Sequence, residues 1–229
     1  MKRALVLALL LVAPATTFAD PDDWTEVPSY QPTPEHFALE LRVGQYFPGT
    51  SGWSGAFGGD AGPMLAFELD YFPWRIPYIG LIGVGAGLGW SQWEGAGMTT
   101  SGTQAEQTVV FEMIPITTGL VLRVDVLARE LRIPLVLTGK AGFDFAYWVT
   151  GTGGVADSGG WAIGPRFAGQ AALELDFLEP RAARRLDEEW GINHTEVFFE
   201  AYGSFAGALI GPQLDLTGWG WSIGLGFTF

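Results

Sequence analysis

The sequence has no cysteine and only 2 histidines among its 229 residues. No disulfide framework is available, and a lipid anchor on an amino-terminal cysteine is excluded. Basic residues are scarce, with 12 Lys plus Arg against 25 Asp plus Glu and a formal charge of −13. That balance argues against nucleic-acid binding, which depends on cationic contacts to phosphate. Long apolar runs are also missing. Mean hydropathy is positive at +0.22, yet no stretch after the first nineteen residues holds the roughly 18 unbroken apolar residues of a membrane helix. The hydrophobicity must be spread in alternation.

The first nineteen residues are the exception. Lys2 and Arg3 precede an apolar run at 4–13, and Thr17, Phe18 and Ala19 form a small-x-small cleavage site, the pattern of a secretory signal peptide. Residues 1–19 are expected to be removed, which takes the formal charge to about −15. Residues 20–34 hold Pro21, Pro28, Pro32 and Pro34; each removes a backbone donor and fixes φ, so this stretch reads as an extended periplasmic tail. The remaining domain is 35–229.

Within it the dominant signal is period two. At the carboxyl end, Trp219, Trp221, Ile223, Leu225, Phe227 and Phe229 alternate with Gly218, Gly220, Ser222, Gly224, Gly226 and Thr228. Near the start, Phe37, Leu39, Leu41 and Val43 alternate with Ala38, Glu40, Arg42 and Gly44. Similar segments lie at 65–71, 82–90, 113–125, 137–147, 163–177 and 195–205, eight in all. Bulky residues collect on one face of each; charged or small residues collect on the other. Pro63 and Pro73 bracket the second segment, and Pro115 and Pro165 interrupt the fourth and sixth, where the missing N–H must fall at a bulge or unpaired position. In lipid an open sheet would leave edge groups unpaired, so eight such strands must close. The sequence therefore predicts an all-β chain, an eight-stranded antiparallel transmembrane β-barrel.

With the tail in the periplasm, the outward loops fall at 48–61, 91–107, 151–160 and 206–215. Inner links are shorter, except 178–194. There Pro180 and Gly191 bracket a short periplasmic helix at 181–190, between the sixth and seventh strands, with Ala182, Leu186 and Trp190 in one stripe. Its basic end leads and its acidic end trails, against the macrodipole. Such a helix would cap the barrel mouth or lie on the membrane.

Ser222, Gly224, Phe227 and the terminal Phe229 resemble the signal by which the outer-membrane assembly machinery recognises its substrates. With the eight alternating segments and small inner faces, the chain from residue 34 resembles the small OmpA/OmpX-like barrels. The runs 35–42 and 176–180 are similar to barrels of myxobacterial type. The resemblance implies the outer membrane of a Gram-negative cell, periplasmic termini, a monomer, contact with outer-membrane lipids and lipopolysaccharide, and no established activity.

If the charged faces line the lumen, Glu40, Arg42, Glu68, Lys140, Asp144, Arg166, Gln170 and Glu200 lie nearest mid-height. The favoured reading is a salt-bridged plug in a filled interior, in a protein with a structural or surface-interaction role. The alternative is a narrow or gated pore in which Arg42, Lys140 or Arg166 changes partner. A lipid-modifying enzyme is the third reading, and a weak one: it needs a base beside a nucleophile, and His36 and His194 both fall at strand ends, with Ser204 far from His194. No catalytic, cofactor or metal site is expected; Gly at every second position through 83–89 is strand spacing, not a phosphate loop. Trp53, Phe57 and Trp93 in the outer loops read as membrane-interface anchors, with contact to a partner or lipopolysaccharide as the alternative.

Overall fold

Alternation along the chain becomes inside and outside of a wall. The computed structural model describes residues 33–50, 52–57, 61–96, 107–152, 155–210 and 215–229. The expected leader, and the tail as far as residue 32, lie outside the described residues. Eight strands, β1 (Phe37–Pro48), β2 (Gly62–Ile76), β3 (Gly80–Gly95), β4 (Val109–Val124), β5 (Leu135–Thr152), β6 (Val155–Glu174), β7 (His194–Ser204) and β8 (Gly218–Thr228), form a closed antiparallel barrel in sequence order. Closure is made by β1 against β8, from Ala38 opposite Thr228 to Pro48 opposite Gly218. The Phe229 carbonyl accepts from the His36 and Phe37 amides at 2.5 and 3.0 Å, so the last residue completes the seam.

Among the described residues three helices stand between strands. The expected one, α3 (Pro180–Trp190), has Pro180 in its first turn and ends on Gly191 at φ 69°, whose N–H reaches the Asp187 and Leu186 carbonyls, a left-handed termination suited to glycine. Two were not anticipated: α1 (Trp53–Phe57), between β1 and β2, and α2 (Val126–Leu131), between β4 and β5. Both α2 and α3 lie at the end that holds Phe229 and the start of β1, the terminal end of the described barrel. Among the described residues no helix is long and apolar enough to cross a membrane.

The strands run further than their alternation suggested. Pro63 and Pro73 do not bound the second strand but fall inside β2; a register shift between Tyr71 and Trp74 accommodates Pro73. The β3–β4 ladder skips Gly89 and Trp90, opposite Pro115 and Ile114, and resumes in the same register. Proline supplies no N–H for that rung, and Gly89 leaves space for its ring, since a Cβ there would stand 3.0 Å from Pro115 Cγ. The expected loop at 151–160 is mostly ladder: β5 and β6 pair out to Thr152 opposite Val155.

Burial follows parity. Leu65, Leu120 and Phe167 on the outer face are more than half exposed, and bulky apolar residues face outward on all eight strands. Their neighbours Glu40, Arg42, Glu68, Asp144 and Glu200 are buried. An apolar belt encircling a polar interior inverts the arrangement of a water-soluble protein, which rarely exposes more than a few hundred Å² of contiguous apolar surface. It suits hydrocarbon.

Candidate functional site

The side chains at mid-height converge because parity in each strand aims them inward and the registers bring them level: Glu40 stands opposite Glu68, and Gln170 opposite Glu200. Arg42 holds Glu40, Glu68 at 3.0 Å and Glu200 at 2.8 Å. Lys140 Nζ lies 2.8 Å from both Glu40 and Glu68, 3.7 Å from Asp70 and 3.8 Å from Glu200. Arg166 bridges Glu200 at 3.1 Å and Asp144 at 3.6 Å, with its guanidinium 3.8 Å from the Tyr202 ring centre. Gln170 Nε2 donates to Glu40 at 3.1 Å. The eight residues singled out in the sequence thus meet in one network spanning β1, β2, β5, β6 and β7. Each cation faces at least two carboxylates, the condition under which buried charges offset their desolvation.

Below this layer, toward the termini, Arg123 of β4 grips Glu196 of β7 through two bonds of 3.0 and 2.9 Å. Asp70, Arg123 and Glu196 lie one level below mid-height and so outside the set of sequence candidates. Their parity, shared with Glu68, Val121 and Glu200, was the signal that could have found them.

Above it, toward the loops, the lumen is apolar. Trp53, Trp93, Phe111 and Trp148 are buried with Tyr46, Met64, Met113 and Tyr202; Trp53 meets Trp93 at 5.3 Å and Phe111 at 4.9 Å, ring centre to ring centre. Trp53 and Trp93 therefore are not interface anchors. α1 folds into the mouth and carries Trp53 inward, and Trp93 lies on the inward parity of β3. Spaces bordering the network measure about 20, 20 and 10 Å³, room for about one water each.

At the terminal mouth, Arg75 bridges Asp125 and Glu35, both at 2.6 Å. His194 Nδ1 lies 2.5 Å from Asp176, and its Nε2 3.4 Å from Glu35. Burial raises the Glu35 carboxyl, but the hydrogen bond and charge of His194, with Arg75, outweigh it and hold Glu35 below the ordinary glutamate range. Beside it is a cavity of about 170 Å³ lined by Glu35, Arg123, Asp125, Arg129, Glu174 and His194. Donor atoms of Glu174, Asp176 and His194 lie within 4.8 Å of one another, a spacing that admits a cation. Arg123 stands 3.9 Å from Glu174, and both His194 nitrogens already face carboxylates, so the donor set does not favour one. His36 Nδ1 lies 3.4 Å from the Phe72 carbonyl. Ser204 and His194 are the two ends of β7, too far apart to act together.

Of the carboxyl-terminal residues, Ser222 faces the lumen between Gly44 and Glu200, and Gly224 lies between Arg42 and Phe198. Phe227 lies between Leu39 and Thr195.

Basic residues outside the lumen gather at one end, where carboxylates such as Glu35, Asp125, Glu130, Glu179, Glu188 and Glu189 stand among them. Apart from Lys2 and Arg3 and the four lumen cations, every Lys or Arg in the chain (Arg75, Arg129, Arg132, Arg181, Arg184, Arg185) belongs to the terminal end. Among the described residues the opposite end carries Glu94, Glu112, Asp157 and Asp215 and has no Lys or Arg.

No protein-family model and no curated protein matches the sequence. Among solved structures, the chain is similar to Ail, the attachment invasion locus protein of Yersinia pestis, in complex with the heparin analogue sucrose octasulfate. The TM-score is 0.50 at 10% identity, over 86% of this chain and 100% of that one. Neisserial surface protein A is also similar, with a TM-score of 0.48 at 11% identity over 84% of this chain and 97% of that one. The fold is that of an eight-stranded outer-membrane barrel. At such identities the likeness shows this architecture and carries no role. The lumen of this eight-stranded barrel holds one layer of rings above two layers of ion pairs.

Proposed function

We propose that this chain is an integral outer-membrane barrel with a closed lumen, its termini in the periplasm, serving as a structural element or a surface for interaction. The observation that carries this reading is the double closure. The Arg42, Lys140 and Arg166 network fills mid-height, and the Trp53, Trp93 and Phe111 cluster fills the loop end. An eight-stranded interior is just wide enough for side chains to fill. A gated pore would require the ion pairs to exchange partners and the aromatic layer to lift together. A lipid-modifying reaction would require a nucleophile beside His36 or His194, and Ser204 is at the wrong end of β7.

The partners follow from the surface. The apolar belt meets acyl chains of phospholipid and lipopolysaccharide. The polyanion bound by Ail does not transfer to this chain, whose loop end has no Lys or Arg among the described residues. The assembly machinery reads β8 through Ser222, Gly224, Phe227 and Phe229, and the inserted barrel is a monomer. A closer likeness to myxobacterial barrels rests on the runs 35–42 and 176–180 alone. Reconstitution into liposomes tests the reading: unboiled samples shift on gels as folded barrels do, and small-solute uptake stays at the level of empty liposomes. Uptake above that level would favour the pore.

A further inference from the structure

The amphipathic helix α3 does not use its apolar stripe to dock on the barrel. Its buried residue is Asp187, whose carboxylate accepts from the Thr33 hydroxyl at 2.5 Å and the Thr33 amide at 3.3 Å. Asn193, just beyond the helix, donates to the Thr33 carbonyl at 2.7 Å. The attachment is polar and local. One residue away around the helix, Leu186 is 36% exposed and Trp190 72%. A cap over the mouth would bury that stripe. Instead α2 takes that position, packing Ala128 under Val136, Ala172 and Phe198.

The stripe continues into a wider apolar rim. Phe177 and Leu178, which lead into α3, are 55% and 66% exposed, and they come soon after the outward-facing Leu173 of β6. Arg181 and Arg185 are exposed on the flank of the stripe away from Asp187, with Glu189 one turn after Arg185 on the same flank. Among the described residues, every basic residue outside the lumen lies at this end of the barrel, beside carboxylates that include Glu179, Glu188 and Glu189. Apolar residues on one flank and arginines beside them are the pattern of a helix lying in the headgroup region, where stems of basic side chains follow apolar surface and their heads reach phosphates.

We infer that α3 lies in the leaflet that faces the chain termini, with Leu186 and Trp190 among the acyl chains and Arg181 and Arg185 on the phosphates of anionic phospholipid. This rests on the membrane placement proposed above. The helix would fasten the barrel at a fixed depth and tilt and gather anionic lipid around β6 and β7.

Because the chain has no cysteine, a single introduced thiol can be spin-labelled without ambiguity. Three variants of the full barrel, Trp190→Cys, Glu188→Cys and Leu65→Cys, are reconstituted in vesicles of phosphatidylcholine with phosphatidylglycerol. Depth is read from the relative access of oxygen and a nickel chelate. The label at 65 should lie in the hydrocarbon, that at 190 about 5–10 Å below the phosphates, and that at 188, two residues or about 200° from Leu186 around the helix, in water. A water-exposed label at 190 with a lipid-buried label at 65 overturns the inference alone; water exposure at 65 overturns the membrane reading itself. Adding Arg181→Gln and Arg185→Gln should move the label at 190 toward water in these vesicles and leave it unmoved in pure phosphatidylcholine. An equal effect in both lipids would overturn the anionic-lipid assignment.

Discussion

Arg123 and Glu196 face each other across the lumen from β4 and β7, strands three apart in the ring, and join through two parallel bonds of 3.0 and 2.9 Å. Both are nearly inaccessible to solvent. Removing one partner leaves the other buried and uncompensated, so Glu196→Ala should destabilise the barrel by about 3–5 kcal/mol, whereas Arg123→Met with Glu196→Leu should recover most of that loss. Urea titrations in detergent or vesicles, followed by the gel shift of unboiled samples, make the comparison. A single variant within error of wild type would show that the pair is not coupled.

Gly224 has two candidate roles that a substitution separates. In the assembled barrel a Cβ at this position would overlap the Leu41 carbonyl oxygen and the Phe198 ring. Gly224→Ala should therefore destabilise the folded barrel by about 1–3 kcal/mol, the cost of overpacking, even when it is refolded without any assembly machinery. Phe229→Ala, by contrast, should refold in vitro nearly as wild type while its outer-membrane yield in cells falls. Equal losses in both assays for Phe229→Ala would remove the case for a recognition signal separate from barrel stability.

Trp53 is carried into the mouth by α1 and touches Trp93, Phe57 and Phe111. Trp53→Ala should lower stability by about 3–5 kcal/mol and expose the rings beneath it to aqueous quenchers of tryptophan fluorescence. It should not produce uptake of solutes, because the ion-pair layers below are unchanged. Solute uptake by this variant would mean that the aromatic layer alone seals the lumen.

The terminal mouth makes stability depend on acid. Glu35 titrates below its ordinary value of 4.5 through His194 and Arg75. A carboxyl depressed on folding contributes stability that is fully present above that value and is lost as pH falls through the folded one. Wild type should thus lose stability below about pH 4.5 faster than Glu35→Gln, and the two curves should run parallel above it. Denaturant midpoints measured between pH 7 and pH 3 give both curves, and identical acid limbs would contradict the assignment.

Eight strands and their inner faces were legible in the sequence because parity is a local property: Glu40, Arg42, Glu68 and Lys140 declare their side by their neighbours. Where strands end was less legible. Gly151, Thr152, Gly159 and Gly160 have loop-like composition yet lie in the β5 and β6 strands, since a ladder partner matters more there than propensity. α2 spans only 6 residues and shows too little periodicity to register. Trp53 and Trp93 read as interface anchors because nothing near them in sequence reveals that α1 turns into the mouth; that contact is made with Phe111, far along the chain from Trp53. The ion-pair partners were legible as a set, while the pairing of Arg123 with Glu196 depends on heights that only the registers define.

The central claim is that the lumen is closed. Planar-bilayer recording of the purified, correctly folded barrel tests it most directly, with Lys140→Ala and the combination of Trp53→Ala, Phe111→Ala and Lys140→Ala beside wild type. Wild type and Lys140→Ala should give no discrete conductance, because the aromatic layer still seals the loop end, and steps should appear only in the triple variant. Discrete, reproducible steps from wild type, or from Lys140→Ala alone, would contradict the account and restore the gated pore.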